Sequence, residues 1–581
     1  MRKTKIICTM GPATADDNVL RELMKAGMSV ARINFSHGTH ESAKEMMDRI
    51  KRVRDELDLP VAILLDTKGP EVRVKTFKNG SVTLEEGKRF TLYTEDFEGD
   101  ETGVSITYAN LTSDVKPGTT ILIDDGLIEL EALSVKNNKI VCEVKNGGTI
   151  SDRKGINVPN VSLSMPYMSE KDRADILFGI EQDVDFVAAS FVRTAEDVSE
   201  IRRLLDKNGG KDIDIIAKIE NAQGVENIDA ILHVCDGIMV ARGDMGVEIA
   251  MQDLPVIQKQ LIKKTYSAGK VVITATQMLD SMIRNPRPTR AEVTDVANAI
   301  YDGTSAIMLS GETAVGKYPI EAVKTMSCIA ARAEKDINYV SRLKNLNFVA
   351  GMDVTNAIGH ATCTTAHDLG AAAVIALTYG GTTARMLSRF RPDCPIIAAT
   401  VSDKTMRVLN LSWGVIPVKS HKCDNTDELF DHAVECAEKT GLVSKGDLVV
   451  ITGGAPMGIS GTTNIMKVHL VGNVLVSGTG VTKLKTTSNV CIANDLETLS
   501  KSFKNGDILV TKSVTQDMIG LLKTASGIVC EECGCDNNSA ILAVALDIPV
   551  ITGANGATQI LKAGTTVTLD AEKGLVYGGI E

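Results

Sequence analysis

Eight short apolar runs between Lys5 and Glu312 constrain the fold most, because nearly every run ends in residues able to hold phosphate, carboxylate or metal. The runs are residues 6–8, 30–34, 61–66, 186–190, 215–218, 238–242, 271–274 and 306–310. A helical pattern follows each run, apart from one long insertion after the third. Eight strand–helix units in sequence are typical of a (β/α)8 TIM barrel, which keeps its chemistry at the carboxyl ends of its strands. The sequence therefore predicts an α/β barrel with an active site at one end.

Composition narrows the class of protein. The 581 residues carry a formal charge of −11 with acidic and basic residues interleaved, so no basic face indicates nucleic-acid binding. No apolar run is long enough to cross a bilayer, and the apolar stretch after residues 1–5 is too short for a signal peptide. Twelve scattered cysteines suggest a reducing compartment. We expect a cytoplasmic protein that binds neither nucleic acid nor membrane.

The chain length and the changes of pattern predict four domains. The insertion alternates apolar and polar residues between turn residues, which indicates a small antiparallel β-barrel module. It leaves the barrel at an active-site loop, where it is placed to act as a lid that excludes water. Further on, strands alternate with helices as in an open, largely parallel sheet, and a polar stretch at 482–488 leads into a last unit. The predicted domains are the TIM barrel (1–70 and 168–345), the lid (71–167), an α/β domain (346–473) and the last unit (474–581).

Two carboxylates and one lysine stand where neighbouring strands end. Side chains alternate along a strand, so Lys218 and Glu220 point the same way, and a cation beside a carboxylate suits a phosphate together with a metal. Asp244 ends the next strand, and two carboxylates with substrate oxygens are the usual ligands of Mg2+. Gly243 lets the backbone approach a ligand, and its N–H can bind a carboxylate. The alternative is a structural salt bridge at the barrel rim, which the recurrence of this pattern on other strands disfavours.

A second polar group follows the second and third strands. The oxygens there suit a monovalent cation, and they belong to Asn34, Ser36, Asp66 and Thr67. Three positive charges could neutralise phosphoryl oxygens, and they belong to Arg32, Arg73 and Lys218. Positioned charge of this kind stabilises the loose transition states of phosphoryl transfer. His37 taken alone is better explained as a capping or surface histidine than as a base.

Residues 311–318, GETAVGKY, nearly match a phosphate-binding Walker A loop. That loop needs Ser or Thr after its lysine to bind Mg2+, and this chain has Tyr318 there. We therefore expect an ordinary barrel loop with Glu312 at its strand end.

Seven motifs together resemble the pyruvate kinase family, in the same order along the chain. They are KTKIICTMGP at 3–12, ARINFSHG at 31–38, LDTKGPE at 65–71, AKIEN at 217–221, ARGDMGVE at 241–248, ATQML at 275–279 and MLSGET at 308–313. The resemblance covers the barrel, the lid and the α/β domain. It implies phosphoryl transfer from phosphoenolpyruvate to ADP, with Mg2+ (or Mn2+) and K+ as cofactors, in a homotetramer.

The resemblance also implies roles for individual residues. Lys218 would stabilise the transferred phosphoryl group and the enolate, while Arg32 and Arg73 would bind phosphate. Gly243, Asp244 and Thr276 would lie at the substrate carboxylate, with Thr276 also near the route that protonates the enol. Mg2+ would be held by Glu220 and Asp244. The remaining roles are K+ binding by Asn34, Ser36, Asp66 and Thr67, and contact with ADP by Pro12, His37, Arg73 and Lys154.

Glu71 bears on the monovalent cation. Family members that work without this cation carry Lys at the matching position, where the lysine charge replaces the ion. A carboxylate at Glu71 leaves the site in need of the cation, and we predict dependence on K+.

The α/β domain contains a Gly/Thr-rich strand-to-helix turn of the kind that binds anions. In the family this domain binds phosphorylated allosteric effectors, although glycine-rich turns also occur without ligands. A second such loop has Gly453, Gly454, Gly461, Thr462 and Thr463. The candidate effector residues are Thr378, Gly380, Gly381, Thr382 and Thr383.

The last unit resembles the swivelling phosphohistidine domain of phosphoenolpyruvate-utilising enzymes, which some bacterial pyruvate kinases carry as an extra C-terminal domain. The matching segments are 506–510 and 543–553. Where that domain has its phosphorylated histidine, this chain has Asn538-Ser539-Ala540, and its last histidine is His469. We therefore expect a structural or regulatory unit. Cys530, Cys533 and Cys535 lack the fourth ligand that zinc requires.

Three other functions are weighed against phosphoryl transfer to ADP. A Mg2+-dependent lyase or aldolase of the same barrel class would share the metal carboxylates but would need neither a lid nor Lys218. The missing histidine excludes a phosphohistidine carrier. A non-catalytic scaffold is disfavoured because every matched catalytic position is kept. Pyruvate formation that requires ADP distinguishes the kinase from all three.

Overall fold

The computed structural model describes residues 2–36, 38–344, 353–422, 425–454, 463–533 and 538–579. Its centre is a closed barrel in which each parallel strand pairs with its neighbours in the sequence and the last strand pairs with the first. The eight barrel strands, numbered one to eight below, are Lys5–Thr9, Val30–Asn34, Ala62–Asp66, Phe186–Ala189, Asp214–Ile219, Gly237–Ala241, Val271–Ala275 and Ala306–Leu309. The predicted TIM barrel is confirmed, and each strand lies within two residues of its predicted position.

Helices surround the barrel and bury one face against it. Alternate strand residues such as Ile7, Leu64 and Ile273 fill the interior, while Ile6, Ile63 and Val272 pack outward. Capping boxes start several helices, as at Thr39, Ser169 and Thr289. The helices of this part are Asp17–Ala26, His40–Glu56, Glu170–Glu181, Ala195–Lys207, Ala222–Glu226, Ile228–Val234, Arg242–Glu248, Leu254–Ser267, Arg290–Asp302, Gly311–Ala314, Pro319–Glu334 and Tyr339–Lys344, with 3-10 turns at Pro12–Thr14 and Asp280–Ile283.

The insertion after strand three forms its own β module around a separate core. Seven strands lie in the order Val72–Arg73, Gly155–Asn157, Thr120–Ile123, Ile128–Lys136, Lys139–Asn146, Arg89–Tyr93 and Gly103–Ser105. The two edges meet, because the Lys75 N–H donates to the Ser105 carbonyl at 2.7 Å and the Thr107 N–H to the Arg73 carbonyl at 2.9 Å. This closure agrees with the expected small barrel.

Some details of the module differ from the prediction. Strand Arg89–Tyr93 pairs with Gly103–Ser105 in parallel, so the module is not wholly antiparallel. The strand expected at 104–108 is shorter, and the one expected at 127–130 extends to Lys136. A separate pair, Ser81–Leu84 with Gly148–Ser151, and the short helix Leu111–Asp114 complete the module.

The α/β region contains a five-stranded sheet. Its strand order is Val415–Lys419, Ile396–Thr400, Ala373–Leu377, Leu448–Gly454 and Thr463–Leu470, and the first two strands pair in parallel. Its helices are Val354–Asp368, Thr382–Arg389, Asp403–Leu409 and Thr426–Lys439. The expected open α/β domain is confirmed.

The last part of the chain forms an eight-stranded sheet. The order is Val474–Ser477, Leu575–Gly578, Thr566–Asp570, Lys485–Ile492, Ile508–Thr511, Gly527–Cys530, Val550–Thr552 and Thr479–Gly480. Its helices are Leu496–Ser502, Ile519–Leu522, Asn538–Leu546 and Ala557–Ile560, with a 3-10 turn at Gln516–Met518. The polar stretch read as a lead-in is part of strand Lys485–Ile492, whose exposed and part-buried residues alternate before it becomes buried.

Contacts divide the chain into two compact units. The first comprises residues 1–367, 376–426 and 452–465, and the second comprises residues 368–375, 427–451 and 466–581. The four-domain boundaries expected from the sequence therefore stay a prediction. Among the described residues, none of the helices combines the length and apolar character needed to cross a bilayer.

Candidate active site

The barrel register brings the polar strand ends together. Asn34 on strand two is the partner of Asp66 on strand three, and Asp66 is the partner of Ala188 on strand four. Lys218 lies near the end of strand five, beside Met239 on strand six. Because the strands are parallel, their carboxyl ends share one rim. Residues 34, 66, 190, 218 and 220 therefore lie at the same mouth of the barrel.

A buried network of charges occupies this mouth. The Lys218 ammonium lies 3.1 Å from Asp66 Oδ1, 3.1 Å from Glu220 Oε1 and 2.7 Å from Ser190 Oγ. Arg32 Nε lies 2.6 Å from the other oxygen of Asp66, and its Nη1 donates to Thr9. The two cations thus share one carboxylate. The structure brings together four residues predicted from three separate motifs, namely Arg32, Asp66, Lys218 and Glu220.

Burial and neighbouring charges set the protonation of this network. Burial alone would raise the pKa of Asp66, but Arg32 and Lys218 outweigh it and lower that pKa below its ordinary value. Burial, together with Asp244, raises the pKa of Glu220 to about 7. The pKa of Asp244 is also raised, mainly by burial. Groups with such opposed shifts at one cleft are typical of a functional site.

Gly243 and Thr276 meet at the ends of strands six and seven. The Gly243 N–H donates to Thr276 Oγ1 at 2.9 Å. Arg242 holds the same region, since it donates to the Thr276 carbonyl and pairs with Asp295, both at 2.6 Å. Thr276 has a φ of +70°, a left-handed conformation that non-glycine residues rarely adopt. Such backbone is retained where the surrounding structure fixes it, and functional sites are common among these places.

A cavity of about 370 Å³ lies between the barrel mouth and the lid. Asp244, Glu248 and Phe191 line it from the barrel, and Glu71 and Asn157 line it from the lid side. The Asn157 amide donates to Glu248 Oε1 at 3.1 Å, so a lid strand is joined directly to the helix that begins with Arg242 and contains Asp244. The volume is sufficient for small-molecule ligands.

The residues expected near a nucleotide are more dispersed. Arg73 pairs with Glu71 at 2.6 Å and donates to the Arg153 carbonyl at 2.6 Å, while its Nε is buried without a partner. Lys154 pairs with Asp124 on the lid at 2.8 Å. Pro12 is exposed and begins a short 3-10 turn after strand one, and the last residue of this turn, Thr14, is buried. No recorded contact between described side chains joins Pro12 or Lys154 to the Lys218 network, and His37 lies outside the described residues.

The four predicted cation ligands come from two adjacent loops. Asn34 Oδ1 accepts from the Ser36 N–H at 3.0 Å, and the Phe35 N–H donates to the Asp66 carbonyl at 3.0 Å. Thr67 Oγ1 contacts the Ala188 carbonyl at 3.3 Å. The loops are therefore tied to each other and to strand four.

The candidate effector turn is an ordered strand-to-helix connection. Gly381 has a φ of +86° and donates its N–H to Thr378 Oγ1 at 3.0 Å. Arg385 on the following helix donates to the Gly380 carbonyl at 3.2 Å and pairs with Asp214 at the start of strand five at 2.8 Å. Thr383 contacts Thr463 at 2.8 Å. Of the second predicted loop, Gly461 and Thr462 lie outside the described residues.

The other sequence candidates have structural explanations. The Glu312 carboxylate accepts hydrogen bonds from the backbone N–H groups of Leu279 and Ser310 at 3.0 and 2.7 Å. Its role is therefore to fix the loop backbone rather than to bind a ligand. Cys530 is buried and Cys533 is exposed, whereas Cys535 lies outside the described residues. Within the described ranges, no cluster of three or more metal-binding side chains is present.

Sequence reasoning missed several residues that support the site. Ser190 is the last residue of the run 186–190 and has no role in the sequence analysis, yet it bridges Lys218 and the Thr67 carbonyl. Asp172 accepts from the N–H groups of Lys68 and Gly69, and Lys171 donates to the Phe35 carbonyl. The strand-end position was the available signal for Ser190. Asp172 resembles any helix cap in the sequence, and no local signal distinguishes it.

Comparison with known proteins agrees with this geometry. Family models match for the pyruvate kinase barrel domain at residues 1–323, the pyruvate kinase alpha/beta domain at 356–469 and the mobile domain of PEP-utilising enzymes at 503–574. Pyruvate kinase of Bacillus licheniformis is 49% identical over 581 residues, which is 100% of this chain and 99% of the relative. Pyruvate kinase of Geobacillus stearothermophilus is 48% identical over 580 residues, with the same coverage.

A solved structure agrees as well. The crystal structure of a pyruvate kinase from Cryptosporidium parvum matches with a TM-score of 0.77 and 39% identity, over 81% of this chain and 96% of that chain. The family resemblance, the fold class and the extra C-terminal domain are thereby confirmed. With a barrel, a charged mouth and full-length relatives in agreement, the chain belongs to the pyruvate kinase family of phosphotransferases.

Proposed function

We propose that this chain transfers the phosphoryl group of phosphoenolpyruvate to ADP at the barrel mouth, giving pyruvate and ATP. The buried network of Lys218, Asp66, Arg32 and Glu220 carries the proposal. It places two positive charges and two carboxylates at the strand ends. Phe191, whose N–H donates to Glu220 Oε2 at 2.6 Å, lines the cavity that the lid borders. Positioned charge is the main requirement of phosphoryl transfer.

Lys218 is the central catalytic residue in this proposal. Its ammonium is held by Asp66, Glu220 and Ser190, which fixes its position before substrate arrives. A fixed positive charge stabilises the phosphoryl oxygens during transfer and the enolate oxygen that remains. Arg32, which pairs with the same Asp66 carboxylate as Lys218, binds phosphate oxygens together with Arg73 on the lid side.

Gly243 and Asp244 with Thr276 form the substrate-carboxylate site. The Gly243 N–H now donates to Thr276, and it is available to a substrate carboxylate when Thr276 turns away. Thr276 lies where the enol must gain its proton, and its hydroxyl can pass on a proton without itself remaining charged. Its left-handed backbone fixes the position of the Thr276 Cα, so only rotation of the side chain moves the hydroxyl.

Glu220 and Asp244 fit a divalent cation. Glu220 is buried and Asp244 half-buried, the pKa of each carboxyl is raised, and the charge of Asp244 contributes to the shift at Glu220. A cation nearby would relieve this cost of burial. Mg2+ (or Mn2+) bound there supplies positive charge to the transferring phosphoryl group. Two protein ligands suit Mg2+, which retains waters and substrate oxygens.

Asn34, Ser36, Asp66 and Thr67 fit a monovalent cation. They provide amide, hydroxyl and carboxylate oxygens from two loops whose strands pair at Asn34 and Asp66. Glu71 cannot replace the cation because its carboxylate carries a negative charge, and this carboxylate pairs with Arg73. The proposed requirement is therefore for K+.

The lid module holds the nucleotide in this proposal. Arg73 and Lys154 belong to it, and Pro12 and His37 are the barrel residues assigned to ADP. Closure of the lid excludes water, which favours transfer to ADP over hydrolysis. Lys154 is held by Asp124, so nucleotide phosphate would compete for its ammonium.

The proposal extends to a phosphorylated allosteric effector at Thr378, Gly380, Gly381, Thr382 and Thr383, to a homotetramer, and to a cytoplasmic location. The turn precedes a helix N-terminus, where N–H groups favour anions.

The test is pyruvate release from phosphoenolpyruvate with Mg2+, with and without ADP, in KCl and in tetramethylammonium chloride. We expect release that requires ADP and falls sharply without K+. Pyruvate release that requires ADP but does not depend on K+ would contradict only the proposed K+ site. Absence of ADP-dependent release, with sugar phosphates or nucleotides also supplied, would overturn the proposed reaction.

A further inference from the structure

One helix contacts both loops of the predicted K+ site. Helix Glu170–Glu181 begins directly after its N-cap Ser169. In its first turn, Asp172 Oδ1 accepts from the Lys68 N–H at 3.0 Å and the Gly69 N–H at 3.1 Å. These two N–H groups follow Asp66 and Thr67 in the chain. A single carboxylate oxygen therefore fixes the loop that supplies two of the four predicted ligands.

The other loop is held by the preceding residue of the same turn. Lys171 Nζ donates to the Phe35 carbonyl at 2.8 Å, between Asn34 and Ser36. The ammonium also pairs with Asp175, one turn further on, at 2.7 Å. Asp175 is buried and also contacts His40 Nε2 at 2.7 Å. This pairing balances the charge of Lys171, so its ammonium can lie beside a cation site without repelling the cation.

The two functions of Asp172 are separable by atom. Its Oδ2 accepts from Ser169 Oγ at 2.6 Å and so belongs to the helix cap. Its Oδ1 leaves the helix and binds the loop. A helix cap needs only the contact made by Oδ2. Because Asp172 is buried, an Oδ1 without a hydrogen-bond partner would cost free energy, and the two loop N–H groups supply that partner.

We propose that Lys171 and Asp172 are positioning residues that hold the two loops at the separation a monovalent cation requires. This inference rests on the K+ site of the proposed function. Groups that orient ligands without touching the ion alter metal affinity about 10- to 100-fold when removed. The helix thus supports the cation site from outside, and it contributes no ligand.

The test uses the full-length protein with Lys171→Met and Asp172→Ala. The first readout is the rise in melting temperature on replacing tetramethylammonium chloride with KCl, without substrates. An ion that binds the folded protein stabilises it by an amount that grows with the ratio of the ion concentration to its dissociation constant. The second is the K+ concentration that gives half-maximal rate. We expect both variants to need about tenfold more K+ in each assay, equivalent to about 1.4 kcal/mol, with the maximal rate recovered at high K+. The Mg2+ requirement should stay unchanged.

Matched controls separate positioning from helix stability. Ser169→Ala weakens the same cap without touching either loop, and Lys44→Met removes a similar i,i+4 ion pair with Asp48 on another helix. Both controls should keep the wild-type K+ response. Lys171→Arg keeps a donor and should restore most of the response. If Asp172→Ala does not fold, Lys171→Met decides the question. Asp172→Asn keeps an Oδ1 acceptor for the Lys68 and Gly69 N–H groups and should keep most of the response.

The failures are distinguishable. If Lys171→Met keeps the wild-type response to K+, and Asp172→Ala also keeps it where that variant folds, the positioning role is overturned and the proposed function stays intact. A wild-type protein that does not respond to K+ in either assay overturns the cation site and this inference together. Equal loss of K+ response in Ser169→Ala would also overturn it, since helix stability would then explain the effect.

Discussion

Lys218 carries its charge in a buried place because its neighbours stabilise it. Burial alone would lower the pKa of Lys218, but the carboxylates of Asp66 and Glu220 outweigh this effect and raise that pKa. Arg32 acts in the opposite direction, and its own charge is neutralised by Asp66. The ammonium therefore remains protonated across the pH range of ordinary assays. Its contribution to catalysis is a permanent charge rather than a titrating acid.

Replacement of Lys218 tests this directly. Lys218→Met keeps the length of the side chain and removes the charge, and we expect kcat to fall about 10²- to 10³-fold, the loss typical when one fixed electrostatic contact to a transition state is removed. The measurement is steady-state turnover at saturating substrates, with the melting curve as a check on folding. Lys259→Met, an exposed lysine paired with Asp302, is the control and should leave kcat unchanged. Near-normal turnover in Lys218→Met would show that Lys218 has no role in the reaction.

The divalent site should respond to pH through Glu220. Burial, together with the nearby Asp244, raises the pKa of Glu220 to about 7 in the metal-free protein. Below this value the carboxyl holds a proton that a metal must displace, so affinity for Mn2+ should rise between about pH 6 and pH 8 and then level off. Free Mn2+ measured by electron paramagnetic resonance at three pH values gives the affinity. Glu220→Gln should bind weakly with a flatter profile, whereas a pH-independent wild type would contradict the prediction.

At the scale of elements, strand ends were predictable and the supports of the loops were not. The eight strands follow from short apolar runs, and the chemistry of Lys218 and Glu220 follows from alternation along one strand. The cap residues Asp172 and Glu292 look alike in the sequence, because each closes a capping box. Only the fold brings the spare oxygen of Asp172 against the Lys68 N–H. Contacts between residues about a hundred positions apart leave no local pattern.

The lid illustrates the same limit. Its strands were visible as alternating segments, whereas the bond from Asn157 to Glu248 joins two elements 91 residues apart. Glu248 ends the helix that contains Asp244, so this hydrogen bond couples the position of the lid to a proposed metal ligand. Burial raises the pKa of Glu248, and the Asn157 amide opposes that rise by stabilising the charged form.

Loss of this bond should weaken closure of the lid. For Asn157→Ala we expect kcat/KM for ADP to fall about five- to tenfold, since a hydrogen bond to a charged group contributes about 1.5–3 kcal/mol when buried and less in an open cleft. Initial rates over a range of ADP concentrations provide the measurement. The control is Asn146→Ala, which removes a hydrogen bond from the Asn146 side-chain amide to the Leu127 carbonyl within the lid. Equal losses in the two variants would show that lid stability, rather than closure, is responsible.

At the scale of the whole molecule, the C-terminal unit is defined by packing rather than by chemistry. The sequence has no histidine after His469, so this part cannot carry a phosphohistidine. Tyr577 on strand Leu575–Gly578 is buried, and Gly446 lies against its hydroxyl, before strand Leu448–Gly454. In the same region, Lys573 Nζ lies 3.7 Å from Asp447 Oδ1. The last sheet is thus packed against a turn of the preceding α/β segment, within one compact unit.

Two glycines of this unit allow that packing to be measured. Gly446 and Gly441 both have positive φ, +83° and +69°, so alanine strains the backbone at either position. A Cβ at Gly446 would lie 2.2 Å from the Tyr577 hydroxyl, whereas nothing lies within 4 Å of a Cβ at Gly441. Gly441→Ala should therefore cost about 1 kcal/mol of unfolding free energy, and Gly446→Ala about 1–3 kcal/mol more. Thermal and urea unfolding give the two costs, and turnover should match wild type in both because the proposed catalytic residues lie between Arg32 and Thr276. Equal costs for the two variants would mean that the Tyr577 contact contributes nothing to holding the last sheet in place.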